Sequence, residues 1–397
     1  MTDNRDQSIR NIGLLSVTQA LGGSTSSIIM SVGALAAVNI APDPAAATLP
    51  TSAMIIGLAL ATSIATMIIY RIGRTRGLVL GAALGIPAAL LAGGAVMLGN
   101  FYLFTAALFL VGVTGAFMQQ VRFAAADSVT PDLKGQAISW VMFGGVAAGF
   151  LGPQLSALTR TWIPGSEYAA SFLVIAVISL ISVFVLSQTR LAPTKVPGAP
   201  QGRGRPLPVL LRQWEIVTPM IGASLTYALM TLIMVAAPLA MVHVCGHSPS
   251  EAAGAIQWHV VSMFAPSFIT GAIIKRLGAH LVTALGLLLI IAAAAIALTG
   301  ITVGYFTATL ILLGIGWNFG FIGSTTMLAT SYRPEEAGRA QAVNEQVVFG
   351  ASALASLGSG FLLQVLGWEA IVTLAIPVAT LAILLVGFGA FRHRQMA

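Results

Sequence analysis

The residues best placed to do chemistry form one run, Gln119-Gln120-Val121-Arg122-Phe123-Ala124-Ala125-Ala126-Asp127. Two amides, a guanidinium and a carboxylate follow a long apolar stretch that begins near Phe101. A charge at bilayer depth costs at least ~2.5–3.5 kcal/mol, so it persists only against protein or a water-filled cavity. Gln119 and Arg122 stand three positions apart and share a helix face with Phe123 and Ala126. That face is assigned to a central cavity, or else its amides glue neighbouring helices. A guanidinium presents a planar fork of donors suited to an anionic or carbonyl-rich substrate. Arg122 has that role, or it pairs with helix carbonyls or a buried acid. Asp127 lies about 140° further round the helix and does not face Arg122. It reads as an ion pair with Arg71 or Arg74, or as a titrating proton carrier with a raised pKa.

Further on, Gln257-Trp258-His259 fall early in another apolar run, and Trp317, Asn318 and Phe321 fall in the middle of a third. His259 is either a satisfied buried group or a proton carrier. Trp258 is an interfacial anchor or a site residue. For Trp317, Asn318 and Phe321 packing and substrate stacking stay open as alternatives. Glu345 pairs with Arg339 or Arg333, or serves coupling. His243, Cys245 and His247 match no standard zinc spacing, so no metal site is assigned. There is no phosphate loop and no catalytic triad pattern, so the chain reads as neither an enzyme nor an ATP-driven pump, and it implies no cofactor.

Positioning these groups falls to an unusually apolar chain. It is 57% hydrophobic and 8% charged, against about 25% charged in soluble domains. The formal charge of +7 is scattered between apolar runs, which excludes a nucleic-acid surface. One cysteine excludes an internal disulfide framework, and no cleavable signal peptide is read before the first run. A helix needs about 20 apolar residues to cross a bilayer. Twelve runs qualify: 11–39, 48–70, 77–99, 101–128, 136–160, 167–188, 215–242, 250–274, 279–300, 304–331, 338–364 and 368–391. The first contains a polar patch, Gly22-Gly23-Ser24-Thr25-Ser26-Ser27, which needs an aqueous or protein partner.

With both termini cytoplasmic, 17 of the 19 Lys and Arg fall on the inner side, leaving Arg160 outside and Arg122 within a span. The Pro-, Gly- and Arg-rich stretch 189–214 cannot span and reads as a cytoplasmic linker. It divides the chain into six-span halves, 1–188 and 215–397. The halves repeat. Arg71-Ile72-Gly73 recurs as Arg276-Leu277-Gly278, and Pro131-Asp132-Leu133-Lys134-Gly135-Gln136-Ala137 as Pro334-Glu335-Glu336-Ala337-Gly338-Arg339-Ala340. Parallel halves with a midplane site between them are a transporter architecture.

On these loops and the six-plus-six spans, the whole chain resembles the major facilitator superfamily. That family's loop after the second span runs Gly-x-Leu-Ala-Asp-Arg-x-Gly-Arg-Arg. Arg71, Gly73 and Arg74 match it, while Tyr70 stands at the acidic position and Lys275 at its repeat. Gly145, Gly149, Gly152 and Pro153 are similar to a fifth-span motif of exporters, with altered spacing. The Gln119–Asp127 run, Ile256-Gln257-Trp258-His259-Val260 and Gly316-Trp317-Asn318-Phe319 resemble a bacterial branch that includes riboflavin transporters. The resemblance implies an all-α membrane protein of twelve helices in the inner membrane. It implies alternating-access uptake of a vitamin-like small molecule, coupled to protons, through a site lined by the first, fourth, seventh, eighth and tenth spans. A monomer in the lipid bilayer is implied as well. A drug or metabolite exporter and a non-transporting sensor are the other readings.

Overall fold

The computed structural model describes residues 2–126, 128, 134–191, 205–333 and 336–396, and the side chains of Arg122 and Phe123 are not among those described. Asp127 and the loop 129–133 lie outside the described residues, as does 192–204 within the linker. The described chain is helical, with no strand. Before the linker it forms α1 (Thr2–Val38), α2 (Leu49–Ile72), α3 (Arg74–Met97), α4 (Phe101–Met118), the short α5 (Val121–Ala126), α6 (Lys134–Thr159) and α7 (Ala169–Ser187). After it come a single turn, α8 (Leu207–Leu210), then α9 (Trp214–Leu239), α10 (Pro249–Phe264), α11 (Ser267–Leu277), α12 (Ala279–Ala297), α13 (Val303–Ser331) and α14 (Ala337–Met396). Nine of the described helices are long and apolar enough to cross a membrane, or ten if a bent pair counts as one span.

The breaks have local causes. The run 101–128 stops at Met118 and restarts at Val121, so its amides sit at a break in the helix. The α10–α11 pair bends by 45°. Pro266 lies at that bend, where it lacks an N–H and its ring crowds the preceding turn. In α14 the bond pattern runs on through Gly367, whose φ of 80° is not helical. Ser248 and Glu251 close a capping box that starts α10, with Pro249 at its first position. Gly73 and Gly278 end α2 and α11 with nearly the same left-handed backbone, φ 91° and ψ 153° against φ 82° and ψ 151°. A side chain at either place would be strained, which is why the recurring loop keeps glycine.

Helices before the linker pack in an order that those after it reproduce. α1 lies on α6, α2 on α4, and α3 on α4 and α7. Likewise α9 lies on α14, α10 on α13, and α12 on α13 and α14. The groups meet where α6 packs on α10 and α2 on α14. Large apolar side chains such as Leu60, Leu90, Phe184, Leu354 and Leu384 are exposed on the outside. Water would penalise such a surface, whereas hydrocarbon accepts it because helices satisfy their own backbone.

Among the described residues, the main apolar core joins the two groups toward one end, and Phe143 of α6 also meets Phe268 of α11 at 5.9 Å further along. The main core cluster runs from Leu35, Phe104 and Phe172 across to Ile233, Phe306 and Trp368. Leu15, Leu78, Phe117 and Leu186 form a separate cluster in the first group, and Ile216, Met220 and Leu328 another in the second. Both lie toward the helix ends that carry the N-terminus and the linker. At the opposite end Ser52 Oγ donates to Ser356 Oγ at 2.8 Å, and Gln154 Nε2 to Gln257 Oε1 at 2.7 Å.

Candidate functional site

Between the two groups lies a cavity of about 690 Å³. Its walls differ. On the side of the second group, Tyr227, Phe264, Trp317, Phe321 and Phe349 line it. Trp317 and Phe321 stack at 5.1 Å with their planes 13° apart. Tyr227 meets Trp317, Phe321 and Phe349 edge-on, each at 5.5 Å. Residues four apart on α13 face the same way, so Trp317 and Phe321 stack on one another at the cavity wall, with Trp317 the more buried of the two. The Trp317 indole Nε1 and the Asn344 Oδ1 are buried with no hydrogen-bond partner among the described residues.

The facing wall is polar. It comes from α1, where Thr18, Gln19, Gly22, Gly23, Thr25 and Ser26 recur at helical spacing. Gln119, at the break after α4, joins it. Gly22 brings α1 against Met118, so Gln119 stands beside the α1 face. Glu345 is the only carboxylate among the described lining residues. A 690 Å³ cleft with a broad aromatic surface and a few polar groups fits a drug-sized planar ligand.

The residues singled out in the sequence divide. Gln119, Trp317, Phe321 and Glu345 line the cavity together. Gln120 turns away, and its Nε2 donates to Thr66 Oγ1 at 3.1 Å, tying the break after α4 to α2. Gln257 accepts from Gln154 across the seam between α6 and α10. Trp258 is 47% exposed on the outer surface and meets Phe150 edge-on at 6.0 Å. His259 is fully buried, with Nδ1 held 2.7 Å from the Leu310 carbonyl of α13. Asn318 is fully buried at the α10–α11 bend. Its Nδ2 donates to the Met263 carbonyl at 2.6 Å and to Ser267 Oγ at 2.8 Å, and its Oδ1 accepts from Thr270 Oγ1 at 2.7 Å. The structure therefore places Gln120, Gln257, Trp258, His259 and Asn318 at helix contacts or on the outer face, apart from the cavity. Arg71 is exposed at the end of α2, and Arg74 is buried at the first turn of α3. Arg122 and Phe123 have described backbone in α5 only, and Asp127 lies outside the described residues.

Sequence reasoning missed Gln19, Tyr227, Phe264 and Phe349. Gln19 carried a signal, since it precedes the polar patch at 22–27 on the same helix face. The three aromatics carried none, because an aromatic in an apolar helix looks the same facing lipid, core or cavity. The glycines of α6 also take a different meaning. A Cβ on Gly145 would lie 2.9 Å from the Phe264 ring, and one on Gly149 3.0 Å from Val261. Their smallness lets α10 close on α6.

A sequence profile of the Major Facilitator Superfamily matches residues 14–344, and again 219–395. The chain belongs to that family. It is a multi-pass membrane transport protein and not an enzyme. The chain is 45% identical to the riboflavin transporter RfnT of Brucella anthropi over 377 residues, which is 94% of each chain. It is also similar to two uncharacterised transporters of the family from Bacillus subtilis. YdeG is 27% identical over 81% of this chain and 78% of its own, and YddS 25% over 95% and 89%. In members of this family the cleft between helix groups is where a transported molecule sits, the location that the 690 Å³ cavity occupies here.

Proposed function

We propose that the protein carries riboflavin, or a flavin close to it, across the cytoplasmic membrane by alternating access. The single observation that carries this reading is the 45% identity, end to end, with a protein named as a riboflavin transporter. The cavity agrees in kind. A flat ring system stacks against the aromatic wall at Trp317 and Phe321, and its hydrogen-bonding edge meets Gln119. Phe123 and Arg122 stand on α5 next to this wall in sequence and belong to the same proposed site.

The proposed architecture is twelve spans in two halves, 1–188 and 215–397, joined by the cytoplasmic linker 189–214. Gly367 divides the run Ala342–Arg392 into two, the bent pair makes one span, and the 26-residue α6 completes the set. The repeated packing order and the paired Gly73 and Gly278 turns support this reading. The distribution of Lys and Arg supports cytoplasmic termini. On that topology the separated core clusters mark an opening toward the cytoplasm. Asp127 pairs with Arg71 or Arg74 as an inner lock, and Glu345 is the proposed coupling carboxylate for protons. The protein acts as a monomer in the bilayer. Import is favoured over export because the α6 glycines, which resembled an exporter motif, are accounted for by the contact with α10. Uptake of labelled riboflavin by cells expressing the chain tests the reading: accumulation above control cells supports it, and accumulation at the control level contradicts it.

A further inference from the structure

The hydroxyls of the cavity fall into two classes. Thr18 donates to the Leu14 carbonyl, Thr325 to Phe321, Thr326 to Ile322 and Thr330 to Met327, each within its own helix. Thr231 and Ser352 bond to each other at 2.7 Å. These groups are already satisfied. Thr25 and Ser26 also line the cavity, yet the described residues give their side chains no hydrogen bond. The same holds for the amides of Gln19 and Gln119. Gln19 and Ser26 are seven positions apart on α1, about 10 Å along one helix face. They therefore form a ladder of open donors and acceptors, set opposite a wall of stacked rings.

We infer that the ladder Gln19–Thr25–Ser26 of α1 is a separate subsite for a polyhydroxylated chain, so that the protein selects flat heteroaromatic rings carrying such a chain over the same rings without one. The inference rests on the flavin reading above and deepens it. A stacking wall has no means of distinguishing one flat ring from another that differs only in its substituent, because stacking reads the π-face alone. Hydrogen-bonding groups do distinguish, since a bound ligand lacking the hydroxyls displaces water from them without replacing its hydrogen bonds. Hydroxyl chains match this ladder better than a phosphate or carboxylate does. Its members are neutral, and each both donates and accepts.

The test measures binding of purified protein to riboflavin, to lumiflavin, which has the same ring with a methyl in place of the chain, and to ribitol, the chain alone. Flavin fluorescence and competition supply the readout. Wild-type protein is expected to bind riboflavin about tenfold or more tightly than lumiflavin, the worth of one or two neutral hydrogen bonds. Ser26→Ala combined with Thr25→Val is expected to weaken riboflavin about tenfold and leave lumiflavin unchanged, closing the gap. Retained lumiflavin binding shows that the variant is folded. Equal wild-type affinity for both flavins would overturn the inference while leaving the flavin reading intact. So would a folded, monodisperse double variant that still prefers riboflavin. Wild-type protein that binds neither flavin would overturn the reading on which the inference rests.

Discussion

At the scale of single residues, Trp317 and Asn318 show how adjacent positions diverge. They are neighbours on α13, about 100° apart, so one presents its ring to the cavity and the other enters the contact with the α10–α11 bend. Trp317→Ala is expected to weaken riboflavin binding at least three- to tenfold, the range of one aromatic contact, and also to lower the melting temperature, because Trp317 is only 7% exposed and packs in the main core; fluorescence titration and a melting curve check the pair. Asn318→Ala is expected to lower stability while leaving affinity near that of wild type. It removes three hydrogen bonds from a buried bend and leaves the Met263 carbonyl without that donor. Side-chain hydrogen bonds between membrane helices average only ~0.6 kcal/mol each, so a drop in melting temperature of a few degrees with near-normal affinity is the expected result. An Asn318→Ala protein that melts like wild type but fails to bind would move Asn318 into the site. The sequence marked these residues as notable but could not sort them. Sorting needs the rotation of α13 about its axis, and a helix apolar all round does not reveal that.

Helices and loops tell a complementary story. The recurring Arg-x-Gly loops were legible because they demand a left-handed backbone, and Gly73 and Gly278 adopt nearly equal angles. Helix positions were largely legible from length and hydropathy, including the division at Gly367 between the runs 338–364 and 368–391. The break after Met118 and the α10–α11 bend were not, because they depend on which neighbours satisfy the backbone. The meaning of Gly145 and Gly149 was hidden for the same reason. Gly149→Leu is expected to wedge α6 from α10 and reduce transport at least tenfold, whereas Gly94→Leu, where an added Cβ meets nothing within 4 Å, is expected to transport normally. Equal transport by both variants would remove the seam from the mechanism.

A second element-scale feature fastens the end of the linker. Glu336, whose side chain is fully buried, accepts from Arg205 Nε at 2.7 Å and Nη2 at 2.6 Å, and from the Arg333 and Arg205 backbone N–H groups. The Arg205 hydrogen bonds hold its carboxyl well below the usual glutamate range, against the opposing effect of burial. A carboxylate with a depressed folded pKa stabilises fully above the unfolded glutamate value of about 4.3, and that contribution is lost as pH falls from there toward the depressed value. Glu336→Gln is therefore expected to melt lower than wild type at neutral pH, with the gap closing as the pH is taken below about 4. A gap that stays constant through the acid range would show that the pair does not carry the difference.

For the molecule as a whole, family and class were written in composition, the succession of long apolar runs and the repeated loops. The cavity was half legible. Its polar α1 face announced itself as a patch that lipid would not tolerate, and Gln119, Trp317, Phe321 and Glu345 stood out by type. The rest of the aromatic wall, from Tyr227, Phe264 and Phe349, is assembled from three separate helices and exists only once they pack. The most direct test of the central claim is riboflavin flux into liposomes containing the purified protein. The account predicts saturable entry above empty liposomes, reduced in the Trp317→Ala protein. Riboflavin entry no faster than into empty liposomes, from wild-type protein shown to be folded and inserted, would contradict it.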